Sequence, residues 1–148
     1  LHAFFAADVE GLSAARRLTL AEQCLKNRLV EGALNPADVV AAGDALKKWA
    51  NEVAPGAKWL RELPVSHPQK DGSTVRGTAD LVLETKTGLI LVDHKSYPGR
   101  LEEALARAAE YAGQLEAYGK ALEAATGKPV TGKYVHLPLA GLLAPVSG

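Results

Sequence analysis

Arg76-Gly77-Thr78-Ala79-Asp80-Leu81-Val82-Leu83-Glu84 leads through Thr85-Lys86-Thr87 into Gly88-Leu89-Ile90-Leu91-Val92-Asp93-His94-Lys95-Ser96. Thr74 to Glu84 and Gly88 to Lys95 read as two strands, and the short link suits a hairpin. In the second strand Leu89, Leu91, Asp93 and Lys95 share one face, and Ile90 and Val92 the other. Both faces are apolar over most of its length, so the strand is expected to be central and covered on both sides. Its end nevertheless carries a carboxylate and an ammonium pointing the same way. Such charges are costly to bury unless they pair or bind something. Antiparallel pairing brings Asp80 toward Asp93. Two close carboxylates repel and call for a cation, and oxygen donors favour hard divalent ions. Taken alone, Asp93-x-Lys95 is more simply an ion pair with Asp80 in a turn. The spaced pattern Gly77-x-x-Asp80, strand, Gly88, strand, Asp93-x-Lys95 places both carboxylates at matching positions.

Outward from this hairpin, the first third is helical. Residues 1–10 have helical composition. Thr19-Leu20-Ala21-Glu22 has the form of a capping box that opens a helix to about Glu31, with Leu25 and Leu29 one turn apart. Asn35-Pro36 is an N-cap before an N1 proline. The helix it starts runs to about Val53, with Val39, Ala42, Leu46 and Trp49 or Ala50 on one face, and Ala54-Pro55-Gly56 ends it. Lys58 to Val65 reads as a strand and Ser66 to Ser73 as a polar loop. Leu101 to Ala125 is predicted as one long helix stopping at Gly127 and Pro129. Tyr134 to Leu137 and Leu142 to Val146 are closing strands, the last an edge. The expected fold class is α/β: a mixed central sheet of about five strands flanked by helices on both sides. Residues 1–148 are read as one domain, with a helical part over 1–56 and the sheet over 57–148.

The 148 residues carry 17 Lys+Arg and 17 Asp+Glu, eight of each sign in residues 1–68 and nine in 69–148. Neutrality excludes a basic nucleic-acid-coating protein and a polybasic membrane binder, but not an enzyme with an acidic site. The single cysteine, Cys24, forbids an internal disulfide and a four-cysteine metal site. A reducing cytoplasm is expected, and Cys24 is read as a buried small hydrophobe. No apolar run reaches the length of a membrane span. With no methionine and a start in mid-pattern, the chain is expected to be a piece of a larger protein.

On the long helix Tyr111, Gln114 and Tyr118 fall within about 60° of one another. Ala108, Leu115 and Leu122 lie on or beside that arc, so this face is expected to turn inward, where polar groups need partners. A site between helix and sheet would supply them. Tyrosines in an ordinary core with Gln114 at the periphery fit equally well.

Asp80…Asp93-His94-Lys95 followed by Gln114-Leu115-Glu116-Ala117-Tyr118 resembles the RecB-like branch of the PD-(D/E)XK nucleases, for which the Q-x-x-x-Y helix is distinctive. Leu1-His2-Ala3-Phe4-Phe5 is similar to that branch's first motif, and Trp59 to Val65 to its E-x-P strand. The motifs stand in family order across the whole chain. The helical insert after His2 is most like the C-terminal nuclease domains of AddA/UvrD-type bacterial helicase–nucleases.

The resemblance implies a PD-(D/E)XK restriction-endonuclease-like sandwich and a deoxyribonuclease, more an exonuclease than an endonuclease, acting in DNA end processing and recombinational repair. It implies that His2, Asp80, Asp93 and the His94 carbonyl bind Mg²⁺ or Mn²⁺. Lys95 would orient or help deprotonate water and stabilise charge at the phosphate. Gln114 and Tyr118 would hold the site and contact DNA, with Tyr111 added from helical geometry. Glu62 would support the site or only its strand. The iron–sulfur cluster of some relatives is not expected. Implied partners are DNA, helicase domains of the same chain and a partner nuclease or helicase subunit, with no membrane. Two rivals remain: a catalytically silent DNA-binding or scaffold domain of a helicase, and a different enzyme or interaction domain whose carboxylates form structural ion pairs.

Gly127 to Lys133 matches G-x-x-x-x-G-K, but Tyr134 stands where a P-loop needs Ser or Thr, and the segment is read as a helix-to-strand loop. His67 and His136 are read as structural. Arg100, Arg107, Lys120, Lys128 and Lys133 are read as solvated charges, with phosphate contact as the alternative.

Overall fold

The computed structural model describes residues 1–26, 34–96 and 100–146. It forms two compact units, Leu1–Val53 and Ala54–Gly148. The first holds α1 (His2–Ala7), α2 (Ala14–Lys26) and α3 (Pro36–Val53). At the start of α3, Asn35 Oδ1 accepts the Asp38 N–H at 2.9 Å and Asp38 Oδ2 accepts the Asn35 N–H at 3.3 Å, a reciprocal cap ahead of Pro36. The helix buries Val39, Gly43, Leu46 and Ala50. Within α2 the Thr19 reading is corrected. Ser13 Oγ caps the helix by accepting the Arg16 N–H at 3.2 Å, so Thr19 lies in the interior and donates to the Ala15 carbonyl. The expected helix end near Glu31, with Leu29, lies outside the described residues. Cys24 is half-buried rather than buried.

Between these helices Asp8, 3% exposed, accepts Arg17 Nε at 2.7 Å and Nη2 at 2.9 Å, with Lys47 Nζ 3.0 Å away. Burial pushes its carboxyl up, but Arg17 and Lys47 outweigh this and hold it below the usual carboxylate value. A Cβ at position 43 would come within 2.7 Å of Asp8 Oδ2, so Gly43 makes room for the network.

The second unit is built on one five-stranded sheet in the order β1 (Lys58–Pro68), β2 (Thr74–Glu84), β3 (Leu89–His94), β4 (Val130–Leu137) and β5 (Leu142–Pro145). All neighbours are antiparallel except β3 and β4, which are parallel and joined through α4 (Leu101–Glu110) and α5 (Ala112–Thr126). The crossover makes the sheet mixed, as the alternation of strands and helix predicts. α5 lies on one face, where Leu115, Tyr118 and Leu122 pack with Val82, Leu89, Leu91, Val135 and Leu137. Leu81, Leu83, Ile90 and Val92 alternate onto the other face and are buried as well. All six residues of β3 are buried, as its two apolar faces require.

Three expected boundaries move. β1 continues through Ser66, His67 and Pro68, which pair with Arg76, Val75 and Thr74, so the turn shrinks to the residues between Pro68 and Thr74. An edge strand tolerates Pro64 and Pro68 because no further strand needs their missing N–H. β4 begins at Val130, so most of the Gly127–Lys133 segment is strand. The long helix breaks at Tyr111, whose N–H reaches back to the Ala108 carbonyl at 3.2 Å, tightening the ladder by one residue. The predicted stop at Gly127 stands, with φ at 70°.

One backbone irregularity shapes β1. Glu62 has φ 50°, a left-handed conformation, yet Arg61↔Leu81 and Leu63↔Ala79 keep one register. The kink rephases the side chains: Leu60 before it and Leu63 and Val65 after it all reach the same core.

Among the described residues no helix is long and apolar enough to cross a membrane.

Candidate active site

The hairpin of β2 and β3 sets the site. Its last ladder pair is Leu81↔Val92, and the register carries Asp80 to the position opposite Asp93. Glu62 falls opposite Asp80 on the other side by the same count along β1 and β2, but its side chain is exposed. Asp80 is half-buried, and its Oδ2 accepts the backbone N–H of His94 at 2.8 Å. One carboxylate of the pair is thus pinned to the backbone of the strand that carries the other.

Asp93 is 6% exposed. The Lys95 ammonium lies 3.1 Å from its Oδ2 as an ion pair, and among the described residues that buried oxygen has no other partner. Burial first, then the neighbouring Asp80, push the Asp93 carboxyl up to about 6, and Lys95 opposes the rise without cancelling it. A buried carboxylate oxygen with one ammonium as its partner, beside a second carboxylate, suits a hard cation better than an internal salt bridge alone. The oxygen donors Asp80, Asp93 and the His94 carbonyl are the right chemistry for Mg²⁺ or Mn²⁺. Among the described residues no three His, Cys, Asp or Glu side chains converge as a closed cage. Any ion here would draw further ligands from carbonyls, water or substrate, as Mg²⁺ commonly does.

The α4–α5 break faces this pair of strands. Lys95 Nζ sits 4.4 Å from the centroid of the Tyr111 ring, a cation–π contact that holds the ammonium. Tyr118 is buried, and its hydroxyl accepts Gln114 Nε2 at 3.1 Å. That hydroxyl lies over Gly77, where a Cβ would overlap it. The glycine of Gly77-x-x-Asp80 therefore leaves space for the tyrosine of the helix. The expected inward face holds for Ala108, Leu115, Tyr118 and Leu122. It fails for Gln114, which is exposed and reaches the site only through Tyr118. His2 opens α1, half-buried, in the first unit.

His136, read as structural, pairs with the motif residue His94. His94 and His136 are both 3% exposed, with their Nδ1 atoms 2.9 Å apart. The charges set aside as solvated are largely engaged with acids. Arg107 pairs with Glu110 at 3.9 Å, Lys120 with Glu116 at 3.7 Å and Lys128 with Glu84 at 3.3 Å, and Lys133 pairs with Glu116.

The model of the PD-(D/E)XK nuclease superfamily matches residues 1–144. The chain belongs to this superfamily. It is also similar to an ATP-dependent helicase/nuclease subunit of Thermoanaerobacter sp. (strain X514), 38% identical over 80 residues, 52% of this chain and 6% of the relative. The same identity and coverage hold for the equivalent protein of Thermoanaerobacter pseudethanolicus (strain ATCC 33223 / 39E). The corresponding protein of Clostridium novyi (strain NT) is 32% identical over 77 residues, 51% of this chain and again 6% of the relative. The matched region is a small part of each of these long proteins. In this chain the mixed five-stranded sheet and its helices are the scaffold, and the β2–β3 hairpin presents its acidic pair at the edge of the buried core.

Proposed function

We propose that this domain is a divalent-metal-dependent DNA nuclease that hydrolyses phosphodiester bonds, an exonuclease module of a helicase–nuclease acting on DNA ends in recombinational repair. The observation that carries the reading is the buried Asp93 carboxylate, opposite Asp80 and with the Lys95 ammonium 3.1 Å from its Oδ2. In this reading Asp80, Asp93 and the His94 carbonyl hold Mg²⁺ or Mn²⁺. The ion supplies Lewis acidity and a nucleophile at neutral pH.

The protein groups do the rest. The His94 amide fixes one oxygen of Asp80 and so orients this carboxylate toward Asp93. Lys95, held against Tyr111, brings positive charge to the phosphate where water is scarce and so counts for more than it would in bulk solvent. Tyr118 accepts from Gln114, which leaves its own O–H free to donate to a phosphate oxygen. Gln114, exposed, and Tyr111, half-buried, would meet the DNA backbone in this reading. Glu62 supports the strand beside Asp80. A neutral domain gains little from counterion release, so the helicase domains of the parent chain would deliver the strand at high effective concentration.

The test is hydrolysis of end-labelled single- and double-stranded DNA with Mn²⁺, Mg²⁺ or EDTA, with Asp93→Ala and Lys95→Ala as controls. Metal-dependent cleavage that both substitutions abolish is expected. Metal binding in calorimetry without cleavage would make this a DNA-binding module. Cleavage that survives Asp93→Ala would move the site elsewhere.

A further inference from the structure

The buried His94–His136 pair lies on the side of β3 away from Asp93, and the carboxylate chemistry leaves it unused. His94 sits between Asp93 and Lys95 and is fixed at three points. Its N–H donates to Asp80 Oδ2 at 2.8 Å. Its ring meets the His136 ring edge to face, with centroids 5.0 Å apart and Nδ1 to Nδ1 at 2.9 Å. The next residue, Lys95, donates its N–H to the His136 carbonyl at 2.8 Å, where β3 leaves the sheet. The parallel register places His94 directly beside His136.

The hydrogen bond between the rings fixes more than packing. A single proton lies between the two Nδ1 atoms, so one imidazole donates and the other accepts. Both buried rings are thereby held in one mutual orientation, whichever of the two donates. The strand end is where ladder bonds run out, and backbone there frays unless something holds it. Here one residue of the neighbouring strand grips the segment by ring and by carbonyl.

We propose that His136 is a positioning residue for the active strand. Through the His94 ring and the Lys95 amide it fixes the segment that carries Asp93, the amide that clamps Asp80, and Lys95. The placement stands on the geometry alone, and only its catalytic consequence rests on the nuclease reading. Groups that orient a metal's ligands at second hand are typically worth about 10–100-fold in affinity or rate.

Three variants test this. H136F keeps a ring without Nδ1, H136N places an amide near the Nδ1 position, and H136Q carries its amide one atom too far. The first readout is amide hydrogen exchange at His94 and Lys95 in the metal-free protein. Both amides are expected to exchange about tenfold faster in H136F and H136Q and to stay within about threefold of the parent in H136N. The second readout is DNA cleavage, where kcat is expected to fall about tenfold in H136F and H136Q at unchanged KM, with H136N largely rescued. If H136F does not fold, the comparison of H136N with H136Q carries the test, because both bury one amide. Unchanged exchange at His94 and Lys95 in all variants, or equal losses in H136N and H136Q, would overturn the proposal. A parent protein that cleaves no DNA with any metal would overturn the nuclease reading, while the exchange data would still decide the role of His136.

Discussion

Replacing Asp93 by asparagine should make the metal-free protein more stable at neutral pH, although it removes a residue the proposed chemistry requires. Burial and Asp80 raise the folded-state pKa of Asp93 from 3.8 to about 6. The folded protein therefore binds this proton more tightly than the unfolded chain does. The sign follows directly: the stability contributed by Asp93 is fully present below pH 3.8 and is lost as pH rises through about 6. Each pKa unit corresponds to about 1.4 kcal/mol, so the loss across this window is of order 3 kcal/mol. An asparagine in its place does not titrate. The amide would donate to Asp80 and accept from Lys95, so the substitution keeps shape and partners.

The assay is urea unfolding in EDTA from pH 4 to 8, comparing the parent with Asp93→Asn. Trp49 lies in α3 and Trp59 in β1, so a Trp49→Phe background makes Trp59 fluorescence a reporter of the sheet. Carboxylates remote from position 93 titrate alike in both proteins and cancel, so the difference reports the Asp80–Asp93 pair. That difference should shift toward the variant by about 2.4 kcal/mol between pH 4 and pH 7. Adding Mn²⁺ at about 100 times its dissociation constant should stabilise the parent by about 2.7 kcal/mol and the variant far less, which reverses much of the order. A difference independent of pH, or a variant less stable at pH 8 by the margin of an ordinary core substitution, would refute the placement of Asp93 as a strained, raised carboxyl.

Gly77→Ala should cost about 1–3 kcal/mol by driving a methyl into the Tyr118 hydroxyl, and Tyr118→Phe in the same chain should recover part of that, since the ring Cζ still lies 2.6 Å from the added Cβ. A thermal-melt double-mutant cycle reads the coupling, and strictly additive losses would show that the two residues do not collide. At Glu62, glycine should be tolerated and valine should not, with a difference of about 1–2 kcal/mol in unfolding free energy, because φ 50° suits glycine and strains a β-branched residue. Equal stability of Glu62→Gly and Glu62→Val would mean the kink is not demanded by the strand.

The parts of this fold that are legible in the sequence are those whose chemistry is local. Asn35-Pro36 and Gly127 punctuate helices by their own backbone needs, and the structure places both helix ends there. The opposition of Asp80 and Asp93 is legible for the same reason: a short link fixes the antiparallel register, and period-two alternation puts both on one face. Thr19 misleads because Thr-Leu-Ala-Glu satisfies a capping pattern while Ser13 caps first, and a pattern cannot say which of two caps the chain uses. Leu60, Leu63 and Val65 break strict alternation, a signal that a kink lies between them, but nothing local names Glu62 as its site.

What the sequence withholds is what parallel pairing decides. The register of β3 against β4 is set through a helical crossover and a bulge near Leu89 and Ile90, and no turn fixes it. His136 is therefore an isolated histidine in the sequence and a partner of His94 in the fold. The same holds for Tyr111, read as a helix-face residue and found at a helix break with its ring against Lys95. Both carry the site indirectly: one steadies the strand behind the carboxylates, the other the ammonium beside them. A hairpin can bring two acids together with local information alone. Holding them at a fixed separation, against their mutual repulsion, takes contacts from elements distant in the chain, and those are the contacts in which this sequence, read residue by residue, is silent.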